Sequence, residues 1–266
     1  MKWPGGKYRL LDRIRAQLGE GERLVEPFAG SAAVFLNTGY AHYLLADSNR
    51  DLINLYQQLK IHGDGFINAC SEFFTVKNNT GKNYYKLRTV FNETSDVLLK
   101  SALFVYLNRH CYNGLCRYNA GGEFNSPFGR YAKPYFPEKE MRYFQHKATG
   151  AKFIHALFPE TLRMVRPGDI VYCDPPYAPL SKTANFTDYA AGGFSWENQI
   201  ELAEWATKLA RRGIRVVISN HDIKPIKQLY ENAGAATQRF MVRRMISCQV
   251  HNRAKVGEIL AIFQPT

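Results

Sequence analysis

Short apolar runs alternate with helical periodicity over most of this chain. Apolar runs bounded by turn residues predict strands over 23–26, 43–47, 152–156, 169–173 and 214–219. Apolar residues at helical spacing predict helices over about 32–37, 49–60, 98–108 and 196–211, with Ser48 as the N-cap of the second. Two later stretches, 238–246 and 257–263, predict an antiparallel hairpin at a sheet edge. This alternation is typical of a Rossmann-like, doubly wound α/β sheet.

The middle of the chain departs from this alternation. Between about residues 60 and 150, a helical stretch is followed over 111–136 by a segment rich in glycine, asparagine and aromatic residues. Such a composition predicts an extended loop or a hairpin. We therefore expect an α/β domain formed by 1–60 and 150–266, interrupted over 61–149 by a mostly helical insert that contains a β-hairpin loop.

The net charge is strongly positive. The chain has 35 Lys and Arg residues against 23 Asp and Glu, which gives a formal charge of +12. The segment from Lys82 to Lys152 carries twelve of these cations and five acids, and it is also rich in Tyr, Phe and Asn. Basic residues interleaved with aromatic and amide side chains favour a nucleic acid over a membrane surface as the partner.

Cysteine spacing and hydropathy argue against a metal-binding protein and against a membrane protein. None of the five cysteines lies in a C-x-x-C pair or at zinc spacing from a histidine, so we expect free thiols and no metal site. The first residues form no apolar signal core, and no run of eighteen apolar residues occurs. We therefore expect a cytoplasmic protein that does not span a membrane.

The run Asp174-Pro175-Pro176-Tyr177 directly follows the apolar stretch 169–173. Proline lacks an N–H and has a restricted φ, so this turn would present carbonyl oxygens in a fixed direction. Asp174 adds a charged acceptor, and Tyr177 adds an aromatic face. Together these groups suit chemistry on the amino group of a flat, uncharged ring. The alternative is a simple turn that closes a buried strand.

A second candidate site follows the strand predicted over 23–26. Glu26, Phe28 and Gly30 lie where an open α/β sheet binds its ligand, beyond the carboxyl end of a strand. Gly30 would let the backbone pass close to that ligand. Asp47 ends the next predicted strand and suits the two hydroxyls of a ribose, unless it only caps the following helix. The chain contains neither the G-x-G-x-x-G of dinucleotide sites nor a P-loop.

In combination, these features resemble the adenine-specific DNA methyltransferases of the Dam family. The likeness covers nearly the whole chain. It rests on K-W-x-G-G-K at 2–7, E-P-F-x-G at 26–30, Asp47, D-P-P-Y at 174–177, and the stretches 106–117, 122–131, 174–186 and 218–222. The resemblance implies a class I methyltransferase domain with an inserted target-recognition domain. It also implies methyl transfer from S-adenosylmethionine to the N6 amine of an adenine flipped out of duplex DNA.

The resemblance implies a role for each matching residue. The catalytic residues would be Asp174, Pro175, Pro176 and Tyr177. The cofactor-binding residues would be Trp3, Lys7, Glu26, Phe28, Gly30, Asp47 and Asp174. One departure is Ala32, where the family usually has a second glycine. We expect its methyl group to be tolerated, and the alternative is a narrowed pocket that binds the cofactor more weakly.

The resemblance assigns DNA contacts to the insert and to Lys2. Base reading and filling of the vacated position would fall to Lys2, Tyr112, Asn113, Leu115, Arg117 and Tyr131. Phosphate contacts would fall to Arg88, Arg109, Asn119, Asn125 and Arg130. Arg117 would bind a guanine edge and Leu115 a thymine methyl group. The expected partner is double-stranded DNA, with GATC as the site, a monomeric enzyme, and a bacterial or phage origin.

Several alternatives stay open at this point. A carboxylate does not by itself separate N6 of adenine from N4 of cytosine, although aspartate in the first motif position favours adenine within the family. A different short site, as in a restriction–modification pair, fits the same motifs. A catalytically silent DNA-binding relative and an RNA substrate are further possibilities.

Overall fold

The structure is a computed structural model that describes residues 1–3, 6–177, 194–243 and 255–266. The chain divides into two compact units. The first unit comprises Met1–Gly6, Gly30–Ala32 and Asn49–His155. The second unit comprises Lys7–Ala29, Ala33–Ser48 and Ala156–Thr266.

The described ranges contain both strands and helices. The strands are β1 (Arg23–Glu26), β2 (His42–Asp47), β3 (Ala151–His155), β4 (Asp169–Cys173), β5 (Arg215–His221), β6 (Ala236–Arg243) and β7 (Lys255–Phe263). The helices are α1 (Leu11–Leu18), α2 (Ala33–Leu36), α3 (Arg50–Ser71), α4 (Gly81–Glu93), α5 (Val97–His110), α6 (Glu138–Lys147), α7 (Phe158–Arg163), α8 (Trp196–Ala210) and α9 (Lys224–Asn232).

A mixed sheet forms the second unit. In its described part, the strands lie in the order β2-β1-β4-β5-β7-β6. Strands β1, β2, β4 and β5 are parallel, whereas β7 runs antiparallel between β5 and β6. Helices α1 and α8 pack against β5, and α9 packs against β6. The predicted Rossmann-like class and the antiparallel edge hairpin are confirmed, although residues 244–246 of the predicted hairpin lie outside the described residues.

Three acids lie at one edge of this sheet. Every residue of β4 is buried, as is usual for a central strand of a parallel sheet, and β4 lies between β1 and β5. Glu26 ends β1, Asp47 ends β2, and Asp174 directly follows β4. Because β2, β1 and β4 are adjacent and parallel, these three residues share the carboxyl edge, where open α/β sheets bind ligands.

Helix α5 forms the centre of the first unit. Its residues from Ser101 to Asn108 are buried, and it packs against α3 and α4. The bridges Cys111↔Phe128 and Tyr118↔Phe124 then form an antiparallel hairpin over 111–128, called the recognition hairpin below. The expectation of a mostly helical insert with a β-hairpin loop is thereby confirmed. Fully buried aromatic rings fill the core, among them Tyr84, Phe91, Phe104, Tyr106 and Phe124.

Helix α3 differs from its prediction at both ends. The predicted N-cap Ser48 is wrong, because the side chain of Asn49 accepts the capping hydrogen bond from the Leu52 N–H. The helix also continues to Ser71 with a left-handed Gly63 inside it, at φ +49°. A Cβ at Gly63 would collide with Gln145 on α6. Helix α3 packs against α5 and α6, and its whole length belongs to the first unit.

Candidate active site and DNA-reading hairpin

Asp174 stands at the end of β4, and two neighbours hold its carboxylate. The Lys7 Nζ lies 2.8 Å from Asp174 Oδ1. The Ser219 hydroxyl, which is completely buried on β5, donates to the same oxygen over 2.9 Å. The Asp174 side chain is nevertheless 22% exposed. The carboxylate is therefore anchored through one oxygen while part of the group stays accessible.

The Tyr177 ring is fixed by contacts on several sides. Its hydroxyl donates to Glu258 Oε2 over 2.9 Å. The His221 ring packs edge to face against it, with centroids 4.5 Å apart, and the Lys7 Nζ lies 4.5 Å from the centre of the ring. Burial, and after it the charge of Asp174, raises the pKa of the Tyr177 hydroxyl. Tyr177 is therefore a neutral phenol with a defined ring plane.

A buried polar network holds the proline turn. Gln199 on α8 donates from Nε2 to the Pro176 carbonyl over 3.1 Å. The Gln199 Oε1 accepts from Asn220 Nδ2 at 3.0 Å and from the Tyr230 hydroxyl at 3.1 Å. All three side chains are buried, so water does not compete for these bonds. Since the Pro176 carbonyl is engaged, Pro175 carries the candidate acceptor of the turn.

Glu26 is a buried carboxyl at the end of β1. Its Oε1 has no hydrogen-bond partner among the described residues. Burial raises the pKa of Glu26 to about 8, while a hydrogen bond from the Phe35 backbone opposes the rise and the charge of Asp174 adds to it. An unpaired oxygen at a ligand-binding strand end is a group that a hydrogen-bond donor on a ligand would satisfy.

An aromatic cluster lies beside the end of β1. Phe28 stacks on Phe158 with ring centroids 5.6 Å apart and meets Phe194 edge-on at 5.5 Å. Such rings offer an apolar surface to a flat ligand. Asp47 ends the neighbouring strand β2. The alternative that Asp47 caps the following helix is wrong, because Asn49 caps it.

Trp3 lies against Gly30 within the first unit. Gly30 has φ +45°, and a Cβ at this position would come within 3.1 Å of the indole Cδ1 and Nε1. The Tyr56 hydroxyl donates to the Gly30 carbonyl over 2.5 Å. Ala32 also has a positive φ, +58°, which glycine adopts freely and which costs an alanine about 1–2 kcal/mol. A glycine, which the resemblance leads us to expect at this position, would avoid this cost.

Arg117 projects from the recognition hairpin in a fixed orientation. Its Nε donates to Asn125 Oδ1 over 2.7 Å, and its Nη2 donates to the Asn125 carbonyl over 3.2 Å. Its backbone N–H donates to the Ser126 hydroxyl, which in turn donates to the Leu115 carbonyl. The Asn125 side chain, expected to contact phosphate, therefore orients an exposed guanidinium.

Lys2, Asn113 and Tyr131 meet at the base of the recognition hairpin. The Lys2 Nζ lies 4.5 Å from the centre of the Tyr131 ring. The Tyr131 hydroxyl accepts a hydrogen bond from the Asn113 N–H over 2.8 Å. Asn113 has φ +52°, a conformation in which asparagine is enriched. The neighbouring Tyr112 is 48% exposed, so its ring is available to a partner.

The residues expected to contact phosphate differ in their surroundings. Arg88 and Arg109 each donate to a backbone carbonyl, while Arg130 is exposed. Asn119 closes the turn of the recognition hairpin. Its Oδ1 accepts from the Glu123 N–H, and its Nδ2 donates to the Glu123 carboxylate, each over 2.9 Å.

Comparison with known proteins assigns the chain to a family. The model of the D12 class N6 adenine-specific DNA methyltransferases matches residues 3–245. The DNA adenine methylases of Escherichia coli (strain K12) and Vibrio cholerae (serotype O1, El Tor Inaba N16961) are each 48% identical over 100% of this chain and 95% of their own length. The chain belongs to the D12 class of N6 adenine-specific DNA methyltransferases.

A solved structure, precorrin-8w decarboxylase from Methanobacterium thermoautotrophicum, matches 99% of this chain and 94% of its own. Its TM-score is 0.45 and its sequence identity is 11%, a likeness too distant to bear on function.

The methyl donor of this methyltransferase is S-adenosylmethionine, and the residues present fit that molecule. In the second unit, the unpaired oxygen of Glu26 suits a donor group, and the rings around Phe28 suit a flat base. When bound, the donor would supply an activated methyl group.

The described ranges contain neither a metal-binding cluster nor a membrane-spanning helix. No group of three or more His, Cys, Asp or Glu side chains in these ranges is placed to hold a metal ion. No helix there is long and apolar enough to cross a membrane. The thiols of this part of the chain are free, and the fifth, Cys248, lies outside it. They are Cys70, Cys111, Cys116 and Cys173.

The sequence did not indicate the residues that hold the site in place. They are distant in sequence from the groups they orient, as in the pairing of Gln199 with Pro176. One available signal was the polar run at the end of β5, part of the stretch 218–222. The supporting residues are Ser219, Asn220, His221, Gln199, Tyr230, Glu258, Ser126 and Asn108.

In the wild type, Glu26 should make the protein less stable as pH rises, and Glu26→Gln should abolish this pH dependence. Because the folded-state pKa is about 8 against an ordinary 4.5, the unfolded carboxyl ionises first as pH rises. The contribution to folding is therefore fully present below pH 4.5 and is lost toward pH 8, at about 1.4 kcal/mol per pH unit. Thermal unfolding of both proteins at several pH values between 5 and 8 measures the effect.

The Tm of Glu26→Gln minus the Tm of the wild type should increase as pH rises. The exposed Glu20→Gln serves as the matched control, because it makes the same change from carboxyl to amide at the surface. A Tm difference between Glu26→Gln and the wild type that stays constant over this range would contradict the assignment.

Proposed function

We propose that this methyltransferase modifies adenine N6 within GATC in double-stranded DNA after flipping the base out of the helix. The carboxylate of Asp174, anchored at the end of β4 beside the proline turn and Tyr177, carries the proposal. Flipping costs a few kcal/mol, which stacking and contacts in the vacated position must offset. The GATC site is supported by the hairpin resemblance and by 48% identity to DNA adenine methylases.

The chemistry requires two acceptors for one amino group. The lone pair of the N6 amine is delocalised into the adenine ring, which makes the amine a poor nucleophile. The Asp174 carboxylate and the Pro175 carbonyl would each accept one N–H and so localise the lone pair on nitrogen. As the new N–C bond forms and the sulfonium C–S bond breaks, the amine becomes acidic and Asp174 receives its proton. Positioning and electrostatic stabilisation provide the main rate gain.

The contacts around Asp174 suggest which of its two carboxylate oxygens accepts the hydrogen bond from the substrate amine. Lys7 and Ser219 both bind Oδ1, so we assign Oδ2 to the substrate amine. The Lys7 ammonium lies over one face of Tyr177, so a flipped base would stack on the opposite face. In this arrangement, Lys7 orients both the acceptor and the stacking ring.

We assign the methyl donor to the residues that the resemblance indicated. Asp47 would accept hydrogen bonds from the ribose hydroxyls, and Glu26 would pair with a donor group through its unsatisfied oxygen. Lys7 and Asp174 would lie at the reacting end. The remaining residues, Trp3, Phe28 and Gly30, would shape the pocket.

DNA reading is assigned to the recognition hairpin and its neighbours. Arg117, oriented by Asn125, would bind a guanine edge through two hydrogen bonds, and Leu115 would touch a thymine methyl group. Lys2 and Tyr131 would read a flanking base. Tyr112 and Asn113 would fill the vacated position, and Arg88, Arg109, Asn119 and Arg130 would set the register on phosphates.

The proposal extends to the domain organisation of the protein and to its location in the cell. Residues 61–149 would form the target-recognition part, and 1–60 with 150–266 the catalytic part. We propose a monomer that needs no metal ion and acts in the cytoplasm of a bacterium or of a phage-infected cell. The bacterial origin of the relatives supports this setting.

The proposed function predicts N6-methyladenine confined to GATC. Labelled S-adenosylmethionine is incubated with the protein and duplexes that carry GATC or a scrambled site, and the products are identified as nucleosides. Label in both duplexes would reject the site, and N4-methylcytosine would reject the base. DNA binding without any transfer would indicate a silent DNA-binding protein, and methylation of RNA oligonucleotides would reject DNA as the substrate.

Arg117→Ala should relax discrimination at one G·C pair by about 1–3 kcal/mol, because the two hydrogen bonds to the guanine edge are lost. Values of kcat/KM on duplexes that each carry one changed base pair measure this. The control is Arg130→Ala, which should weaken binding to every duplex alike. A uniform loss for Arg117→Ala would instead make Arg117 a phosphate contact.

A further inference from the structure

Asn108 makes a reciprocal pair of hydrogen bonds with the backbone of Lys2. It lies in the last turn of α5, and its side chain is completely buried. The Lys2 N–H donates to Asn108 Oδ1 over 2.9 Å, and Asn108 Nδ2 donates to the Lys2 carbonyl over 2.7 Å. The amide thus pairs with Lys2 as a neighbouring strand would, and this fixes the position of the Lys2 backbone.

The same amide also reaches the recognition hairpin. Asn108 Nδ2 lies 3.3 Å from the Gly114 carbonyl and 3.3 Å from Cys116 Sγ. Gly114 has φ +70°, and a Cβ at this position would collide with the Lys2 side chain. One buried side chain therefore fixes Lys2 and the hairpin relative to each other.

The Lys2 ammonium depends on this arrangement for its place. Its Nζ lies over the Tyr131 ring at 4.5 Å, and the Tyr131 hydroxyl is bonded to the Asn113 N–H. A lysine ammonium is a point charge on a flexible stem with four side-chain bonds. Its position is therefore set by the backbone from which it projects and by the ring beneath it. A displaced backbone would move the charge away from the base that it reads.

We propose that Asn108 is a positioning residue for sequence specificity, which acts by holding Lys2 at the base pair that Lys2 reads. The inference rests on the proposed DNA-reading role of Lys2. Asn108 itself has no contact role in that function. It would touch neither the DNA nor the methyl donor, and its effect would pass through Lys2 and the recognition hairpin.

A matched control lies on the neighbouring helix. Asn92, in the last turn of α4, makes the same two bonds with the backbone of Phe124. Its Nδ2 donates to the Phe124 carbonyl over 3.2 Å, and the Phe124 N–H donates to its Oδ1 over 2.9 Å. Asn92 thus supports the recognition hairpin at Phe124, whereas Asn108 supports it at Gly114 and Cys116. Its loss removes an equivalent pair of backbone hydrogen bonds at a half-buried position.

The test compares Asn108→Ala, Asn108→Asp, Asn92→Ala and Lys2→Ala in the full chain. Asn108→Asp keeps the side-chain size and the acceptor for the Lys2 N–H, and it replaces the amide donor with a carboxyl group. For each protein, kcat and KM are measured on a GATC duplex and on four duplexes with one changed base pair. Thermal unfolding of each protein records its structural cost.

For the Asn108 variants, we expect KM on GATC to rise. Discrimination should fall about tenfold at one base pair, the pair affected by Lys2→Ala. Adding Lys2→Ala to Asn108→Asp should cause no further loss at that pair, since both changes remove one interaction. Asn92→Ala should lower Tm and leave the discrimination profile unchanged.

Equal losses at all four pairs, or an unchanged profile in Asn108→Asp, would overturn the inference. Wild-type protein without preference for GATC would instead overturn the proposed function. Wild-type preference with an unchanged profile in the Asn108 variants would reject the role of Asn108 alone.

Discussion

The proposed active site depends on the ion pair between Lys7 and Asp174. Removing two charges from water costs several kcal/mol for each ion. A buried ion pair is therefore stable only if its two groups are close together and make further hydrogen bonds. Both conditions hold, because the two groups are 2.8 Å apart and Ser219 donates to the same carboxylate oxygen. The Lys7 ammonium also lies over the Tyr177 ring. One cation therefore orients the acceptor and the ring that would face a substrate base.

Side-chain amides have the corresponding role around the recognition hairpin. Asn108 pairs with the Lys2 backbone, Asn92 with Phe124, and Asn125 orients Arg117. Each amide satisfies a backbone group or a cation within the protein, so no ordering is needed when DNA arrives. Preorganisation of this kind lowers the entropic cost of binding. The same principle applies to the proline turn, which the buried Gln199 network holds.

Much of the fold can be predicted from local sequence signals. The side chains that hold the candidate site residues in position cannot be predicted in this way. The strand ends at Glu26, Asp47 and Asp174 are marked by apolar runs that stop at an acid. Ser48 and Asn49 are both good N-caps, so composition alone does not decide between them. Gly63 suggests a helix end, but the packing of α3 against α6 keeps the helix in place.

Long-range partners leave no comparable local signal. Tyr177 and Glu258 are 81 positions apart, and Lys2 and Asn108 are 106 apart. Only the folded chain brings them together. The motif residues could therefore be predicted, whereas the side chains that orient them could not.

The most direct test of the account is the single-turnover rate of Asp174→Asn with saturating S-adenosylmethionine and a GATC duplex. Asparagine keeps the size and one acceptor but removes the charge that localises the amine lone pair and receives its proton. The account predicts a rate lower by roughly a hundredfold or more, with DNA binding retained. The control is Asp222→Asn, a carboxylate that directly follows the neighbouring strand β5 and pairs with Arg239. A rate for Asp174→Asn close to that of the control would contradict the account.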